Sequence, residues 1–164
     1  MTTDRSHEIV EIVERESRAF ETSDAELMLT IYHPDMVWAW PPNEHAHDPM
    51  EWIMRVGRFN YDKWLKLTQL FMDTHKLIHN HREIKKILMT DEQDGALAVV
   101  DIDTLFEQNP DEDSPWHDEG DEGDDEGGKK LRVVGRAAKI YTTVGDEWKL
   151  LYQPGTMHYP VKSV

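Results

Sequence analysis

Asp101 and Asp103 stand two residues apart in the otherwise apolar run from Ala96 to Phe106. In a strand this spacing puts both carboxyls on one face, roughly 7 Å apart. If that face is an interior, burial and mutual repulsion raise at least one carboxyl pKa, giving a general base and a neutral acid from like residues. The other reading is structural, with Lys85, Arg136 or Lys139 on a neighbouring strand neutralising the acids as an ion pair. Alternation sets Arg136 on the opposite side from Ala137 and Lys139, so a bulge is the expected device for bringing it to the aspartates.

A second constellation is His45-Ala46-His47-Asp48. Imidazoles two apart beside a carboxylate can grip a metal, or one can exchange protons near neutral pH. Asp48 already suits a helix N-cap, so His45 and His47 are read as catalytic candidates and no metal site is assigned. His79-Asn80-His81 has the same spacing but lies among Arg82, Glu83, Lys85 and Lys86, which gives it an exposed character. Tyr32, Trp38, Trp40 and Trp52 would form an aromatic wall for a flat apolar ligand, and core packing accounts for the same rings. Lys139 is a candidate ligand contact. The Tyr152 hydroxyl needs a partner if buried, which makes it a candidate donor to a ligand carbonyl or to Asp103.

The elements that must hold these groups follow from periodicity. Ile9, Ile12, Val13, Ala19 and Phe20 recur at helical spacing, predicting a helix over 5–21. Ser23 with Glu26 reads as a capping box opening a short second helix that carries Leu27, Met28, Ile31 and Tyr32 and ends at His33-Pro34-Asp35. Residues 36–40 alternate as a strand with Met36, Trp38 and Trp40 on one side. Asp48-Pro49-Met50-Glu51 looks like the start of a third helix, and Asn60 caps a fourth bearing Trp64, Leu67, Thr68 and Phe71. From Lys76 the period becomes two. Residues 76–89 and 96–106 flank a turn whose Gly95 supplies a positive φ, and residues 131–144 and 147–153 meet at Gly145-Asp146. Helices followed by an antiparallel meander make an α+β layer arrangement. The strand 96–106 is apolar on both faces. Helices can cover one, and a second copy of the sheet covers the other, so a homodimer is expected.

The chain has 164 residues, 33 acidic against 18 basic, a formal charge of −15 and no cysteine. One domain over 1–164 is expected. Without cysteine there is no disulfide framework, thiolate zinc site, iron–sulfur cluster or thiol nucleophile. The charge repels phosphates, which argues against nucleic acid as a partner. Residues 107–130 hold 11 of the acids and only 2 basic residues. Their repeated Asp-Glu-Gly units read as a flexible acidic insertion lacking the spacing of a calcium loop. No apolar run is long enough to span a bilayer, and MTTDRSHEIV lacks the features of a signal peptide, so a cytoplasmic location without membrane contact is expected.

Two stretches carry a likeness to a known family. ESRAFETSDAELMLTIYHPDMVWAW (16–40) resembles the entry helix, capped second helix and first strand of the nuclear transport factor 2-like superfamily, in particular its SnoaL-like branch. GRAAKIYTTVGDEWKLLYQPG (135–155) resembles its closing hairpin, with Trp148 at the usual tryptophan. The chain departs from many relatives in having Tyr152 and Pro154 where they carry histidines. The resemblance implies N-terminal helices on a curled antiparallel sheet, a conical apolar pocket and usually a dimer. It also implies that carboxyls and a tyrosine could transfer protons as in ketosteroid isomerase-like members. Asp101, Arg136 and Asp103 could equally imitate the Asp-Arg-Asp set of limonene epoxide hydrolase-like members. The expected function is a SnoaL-like pocket protein for a small apolar or aromatic molecule, acting without a cofactor as an acid–base isomerase, cyclase, lyase or hydrolase. Its alternative is a non-catalytic ligand-binding or oligomerisation module of the same fold.

Overall fold

The computed structural model describes residues 4–39, 48–54, 56–109 and 130–153. Helix α1 (Ser6–Glu21) turns Ile9, Ile12, Val13, Glu16 and Ala19 inward along one stripe. Helix α2 (Ala25–Leu29) follows, then strand β1 (Tyr32–Trp38), a single 3-10 turn (Pro49–Glu51) and helix α3 (Tyr61–Thr74). Strands β2 (His75–Met89), β3 (Gly95–Gln108), β4 (Lys130–Val144) and β5 (Glu147–Gln153) complete the order.

The five strands make one curled sheet in the order β1-β5-β4-β3-β2, antiparallel except for the parallel pair β1–β5. Register shifts in the β2–β3 and β4–β5 ladders bend the strands where an extra residue enters. Burial alternates strictly along β3. Ala96, Ala98, Val100, Ile102, Thr104 and Phe106 turn to the helices, and Leu97, Val99, Asp101, Asp103 and Leu105 turn away. The inner alanines, with Ala137 of β4, join Ile9, Ile12 and Val13 of α1 in one core.

Several local expectations are corrected. The α2 cap is Asp24, whose carboxylate accepts from the Leu27 amide at 2.9 Å, while Ser23 adopts a left-handed φ of 51°. Residues 33–35 continue β1 instead of breaking before it. Pro34 is tolerated because β1 lies at the edge of the sheet, with β5 its one strand neighbour among the described residues, where a missing N–H need not cost a ladder bond. Asp48 does cap, accepting from the Met50 amide at 2.9 Å, but the chain is extended again by Trp52. Asn60 caps α3 through the Lys63 amide. In the β2–β3 turn the positive φ belongs to Gln93, at 58°. Gly95 is needed for a different reason, since a Cβ there would meet Thr90 Cγ2 at 2.9 Å. Gly145, at φ 63°, opens the β4–β5 hairpin as its position predicts. Most of the acidic segment, 110–129, lies outside the described residues.

Candidate functional site

A helix stripe selects its residues by phase, not by polarity, and position 16 falls in phase with Ile9, Ile12 and Val13. Glu16 therefore projects from α1 toward the inner face of the sheet, where Arg82 of β2 and Lys139 of β4 meet it. Lys139 has 0% exposure. Its Nζ donates to Glu16 Oε2 at 2.5 Å and to Gln153 Oε1 at 2.8 Å. Arg82 Nη1 lies 3.0 Å from Glu16 Oε1, its Nε donates to Asn80 Oδ1 at 3.2 Å, and its guanidinium lies over the Phe20 ring. Thr104 Oγ1 also donates to Asn80 Oδ1, at 2.9 Å. Four strands and a helix thus contribute to one interior polar cluster.

Its electrostatics follow from burial and unlike neighbours. Desolvation alone would raise the Glu16 carboxyl, but the charges of Arg82 and Lys139, with hydrogen bonds from both, bring it down to about 2. Desolvation pushes the Lys139 ammonium down to about 8, Arg82 adding to the fall and Glu16 opposing it. Burial, with the Glu16 charge, raises the hydroxyls of Tyr32 and Tyr141. The Tyr32 ring packs edge-on to Trp64 at 5.2 Å and against Phe59 at 5.8 Å. Trp38, the ladder partner of Gln153, shares the inner face at the end of β1 and packs on the core.

Asp101 and Asp103 share a face, as their spacing requires, but it is the face turned away from the helices. Arg136 binds Asp101 in a fork of 2.6 and 2.9 Å. Arg132 binds Asp103 at 3.2 and 3.0 Å, and His79 Nε2 lies 3.0 Å from the same carboxylate. Hydrogen bonds from Arg136 lower the Asp101 pKa, and those from Arg132 and His79 bring Asp103 to about 2. No bulge is needed to bring Arg136 over, because Asp101 and Arg136 are direct partners in an unshifted ladder. Lys139 does not reach these aspartates, having turned inward to Glu16.

The remaining candidates are scattered. Tyr152 is the ladder partner of Ile140 and Val37, both exposed, so it belongs to the outer face and away from Lys139. Trp52 follows the 3-10 turn and is half-buried. Trp40, His45 and His47 lie outside the described residues. No group of three metal-binding side chains occurs among the described residues. An open groove of about 710 Å³ lies elsewhere, between Thr22–Glu26 and the α3 residues Leu65, Gln69 and Asp73.

Glu16, Arg82, Gln153 and Tyr141 were not among the sequence candidates. Their signal was available as charge or hydroxyl in a core phase. Glu16 interrupts an apolar helical stripe, and Lys139 and Tyr141 alternate with Ala137 on one side of β4.

No family model matches the sequence, and no curated protein does. Solved structures do match across nearly the whole chain. A ketosteroid isomerase-like protein from Erwinia carotovora atroseptica is similar at 11% identity and a TM-score of 0.63, covering 96% of this chain and all of that one. An NTF2-like protein from Cytophaga hutchinsonii is similar at 12% identity and 0.61, over 93% and 97%. A conserved protein from Planctomyces limnophilus is similar at 13% identity and 0.63, over 91% and 92%. At such identities the likeness is one of fold: the helices and curled sheet are arranged as in the nuclear transport factor 2-like superfamily.

Proposed function

We propose that this chain is a small-molecule protein of the SnoaL-like type whose guest, an apolar or aromatic molecule, lies between the helices and the inner face of the sheet. Lys139 and the groups around it handle that guest by proton transfer, in an isomerase, cyclase, lyase or hydrolase reaction. The observation that carries the reading is the ammonium of Lys139, fully buried and hydrogen-bonded to Glu16 and Gln153. Burying an ammonium costs several kcal/mol, on the order of a domain's whole stability, and a methionine would fill the space without that cost. Its pKa near 8 leaves it protonated at neutral pH and able to yield the proton, as a general acid must. Tyr32, with Phe59 against its ring, feels the charge of Glu16, and Trp38 is the ladder partner of Gln153, so aromatic rings border the cluster. The site is placed around Lys139 because Asp101 and Asp103 occupy the other face of the sheet, away from the helices.

One observation favours the alternative of a non-catalytic binding or oligomerisation module. Val37, Tyr152, Ile140, Leu97 and Leu88 are successive ladder partners, forming an apolar row across all five strands on the outer face. Val37, Ile140 and Leu88 in it are exposed. A second copy of the chain packed on this row would cover it, so the protein is proposed to be a homodimer on either reading. No helix among the described residues is long and apolar enough to cross a membrane, and the proposed location is cytoplasmic.

Mass spectrometry of small molecules released on denaturing the purified protein, with thermal-shift titration against neutral aromatics such as 2-naphthol and coumarin, tests the pocket. The expected result is a bound molecule or a saturable rise in Tm that is weakened in Lys139→Met. Neither a released molecule nor a shift with any aromatic would overturn the reading.

A further inference from the structure

Among the described residues, the charges that meet on the inner face do not cancel. Among the described residues, Arg82 and Lys139 contribute two positive charges, and Glu16 is the one carboxylate that touches them. A net positive charge held away from water is unfavourable unless something compensates it. The unsatisfied hydrogen-bonding capacity points the same way. Asn80 Oδ1 already accepts from Arg82 Nε and Thr104 Oγ1, which orients the amide and leaves its Nδ2, a donor, buried with no acceptor among the described residues. Two residues from Lys139 on the same face of β4, the Tyr141 hydroxyl is buried with no partner among the described residues. Buried donors without acceptors are uncommon in folded chains and mark places where a partner belongs.

We infer that the guest of this interior carries a single negative charge on oxygen, as a carboxylate, which settles against Arg82 and Lys139 and takes the free donors of the cluster. This rests on the pocket reading above and specifies its ligand class. A cationic ligand would add a third positive charge beside Arg82 and Lys139. A neutral carbonyl compound would accept from the donors but leave the charge uncompensated. A phosphate dianion would overshoot, replacing a surplus positive charge with a surplus negative one. A monoanionic carboxylate brings the cluster to neutrality and has the lone pairs its donors lack. Recognition is local. The chain as a whole carries −15, so no long-range field draws anions in, and selection arises only once the carboxylate is within the low-dielectric interior.

The test compares 2-naphthoate with 2-naphthamide, which share a ring and differ in charge, by calorimetric titration of the full chain at pH 7. The wild type is expected to bind the carboxylate at least tenfold more tightly than the amide. Lys139→Met and Arg82→Met each remove the surplus charge, and in either variant the preference should shrink to twofold or less. Equal affinities in the wild type, or a preference for the amide, would overturn the inference while leaving the pocket in place. Binding of neither compound would overturn the inference, and the released-molecule and thermal-shift measurements above decide the pocket reading separately. Loss of all binding in a variant that retains its far-ultraviolet circular dichroism would support the cation as a ligand contact. A preference that persists undiminished in both variants would refute it.

Discussion

Replacing Glu16 with glutamine tests the charge arrangement on which the interior site depends. In the wild type the carboxylate lies 2.5 Å from Lys139 Nζ and 3.0 Å from Arg82 Nη1, so one negative charge serves two buried cations. Glu16→Gln keeps the shape but leaves both cations with no counter-charge, and the new amide turns a donor toward one of them. Breaking a buried pair in this way costs about 3–5 kcal/mol. Lys139→Met acts differently, because Glu16 and Arg82 remain as a one-to-one pair and the most costly desolvation disappears. Its effect should lie within about 1.5 kcal/mol of wild type, and a gain in stability is an allowed result of that exchange. Urea denaturation at pH 7 and fixed protein concentration measures both. The acid limb provides a second reading. Glu16 titrates at about 2 in the fold against 4.5 when free, so the folded state binds fewer protons between those values. Its contribution is complete above pH 4.5 and is lost as pH falls toward 2, amounting to about 3 kcal/mol. The difference between wild type and Glu16→Gln should therefore narrow over that range. A Glu16→Gln variant less than about 1 kcal/mol below wild type, or more stable than Lys139→Met, would refute the reasoning.

Three other outcomes follow from the same geometry. Lys139 titrates near 8 in the fold, below the 10.5 of a free lysine, so the folded state binds fewer protons between those values. Its desolvation penalty is present below pH 8 and relieved as pH rises. Wild type should gain stability relative to Lys139→Met between pH 8 and pH 10, seen in paired urea titrations, and a parallel pair of curves would show the ammonium to be unperturbed. Asp101→Asn removes a partly exposed pair on the outer face, so it should cost no more than about 1 kcal/mol, the loss shrinking in high salt. It should also leave naphthoate binding within about twofold, and abolished binding would move the site to the outer face. Leu97→Lys places a charge at the centre of the outer apolar row. Light scattering should show the mass falling from two chains to one, and a wild-type mass of one chain at all concentrations would remove the dimer.

How much of this was legible in the sequence depends on the range of the interaction involved. Caps and turns are local, so Asn60, Asp48 and Gly145 act where their neighbours predicted. Where they failed, a competing local choice was one residue away: Asp24 took the cap from Ser23, and Gln93 took the positive φ from Gly95. Pro34 looks like a break in the sequence because a sequence does not say which strand is an edge. The match between the 16–40 and 135–155 stretches and a known fold agreed with the tertiary arrangement, since helix stripes and strand alternation survive when identity is near 12%.

By itself the sequence determined phases: that Asp101 and Asp103 share a side, that Lys139 lies with Ala137 and Tyr141, and that Glu16 rides with Ile9, Ile12 and Val13. Tertiary structure alone decided which phase is inside. A strand of period two with apolar residues on both faces, as in β3, is indifferent to that choice until a helix covers one of them. α1 covered the alanine face, which sent the aspartates outward to Arg132 and Arg136 and drew Lys139 inward to Glu16, 123 residues away along the chain. A contact of that separation leaves no periodic trace, because its energy comes from desolvation and charge that exist only once the layers have closed.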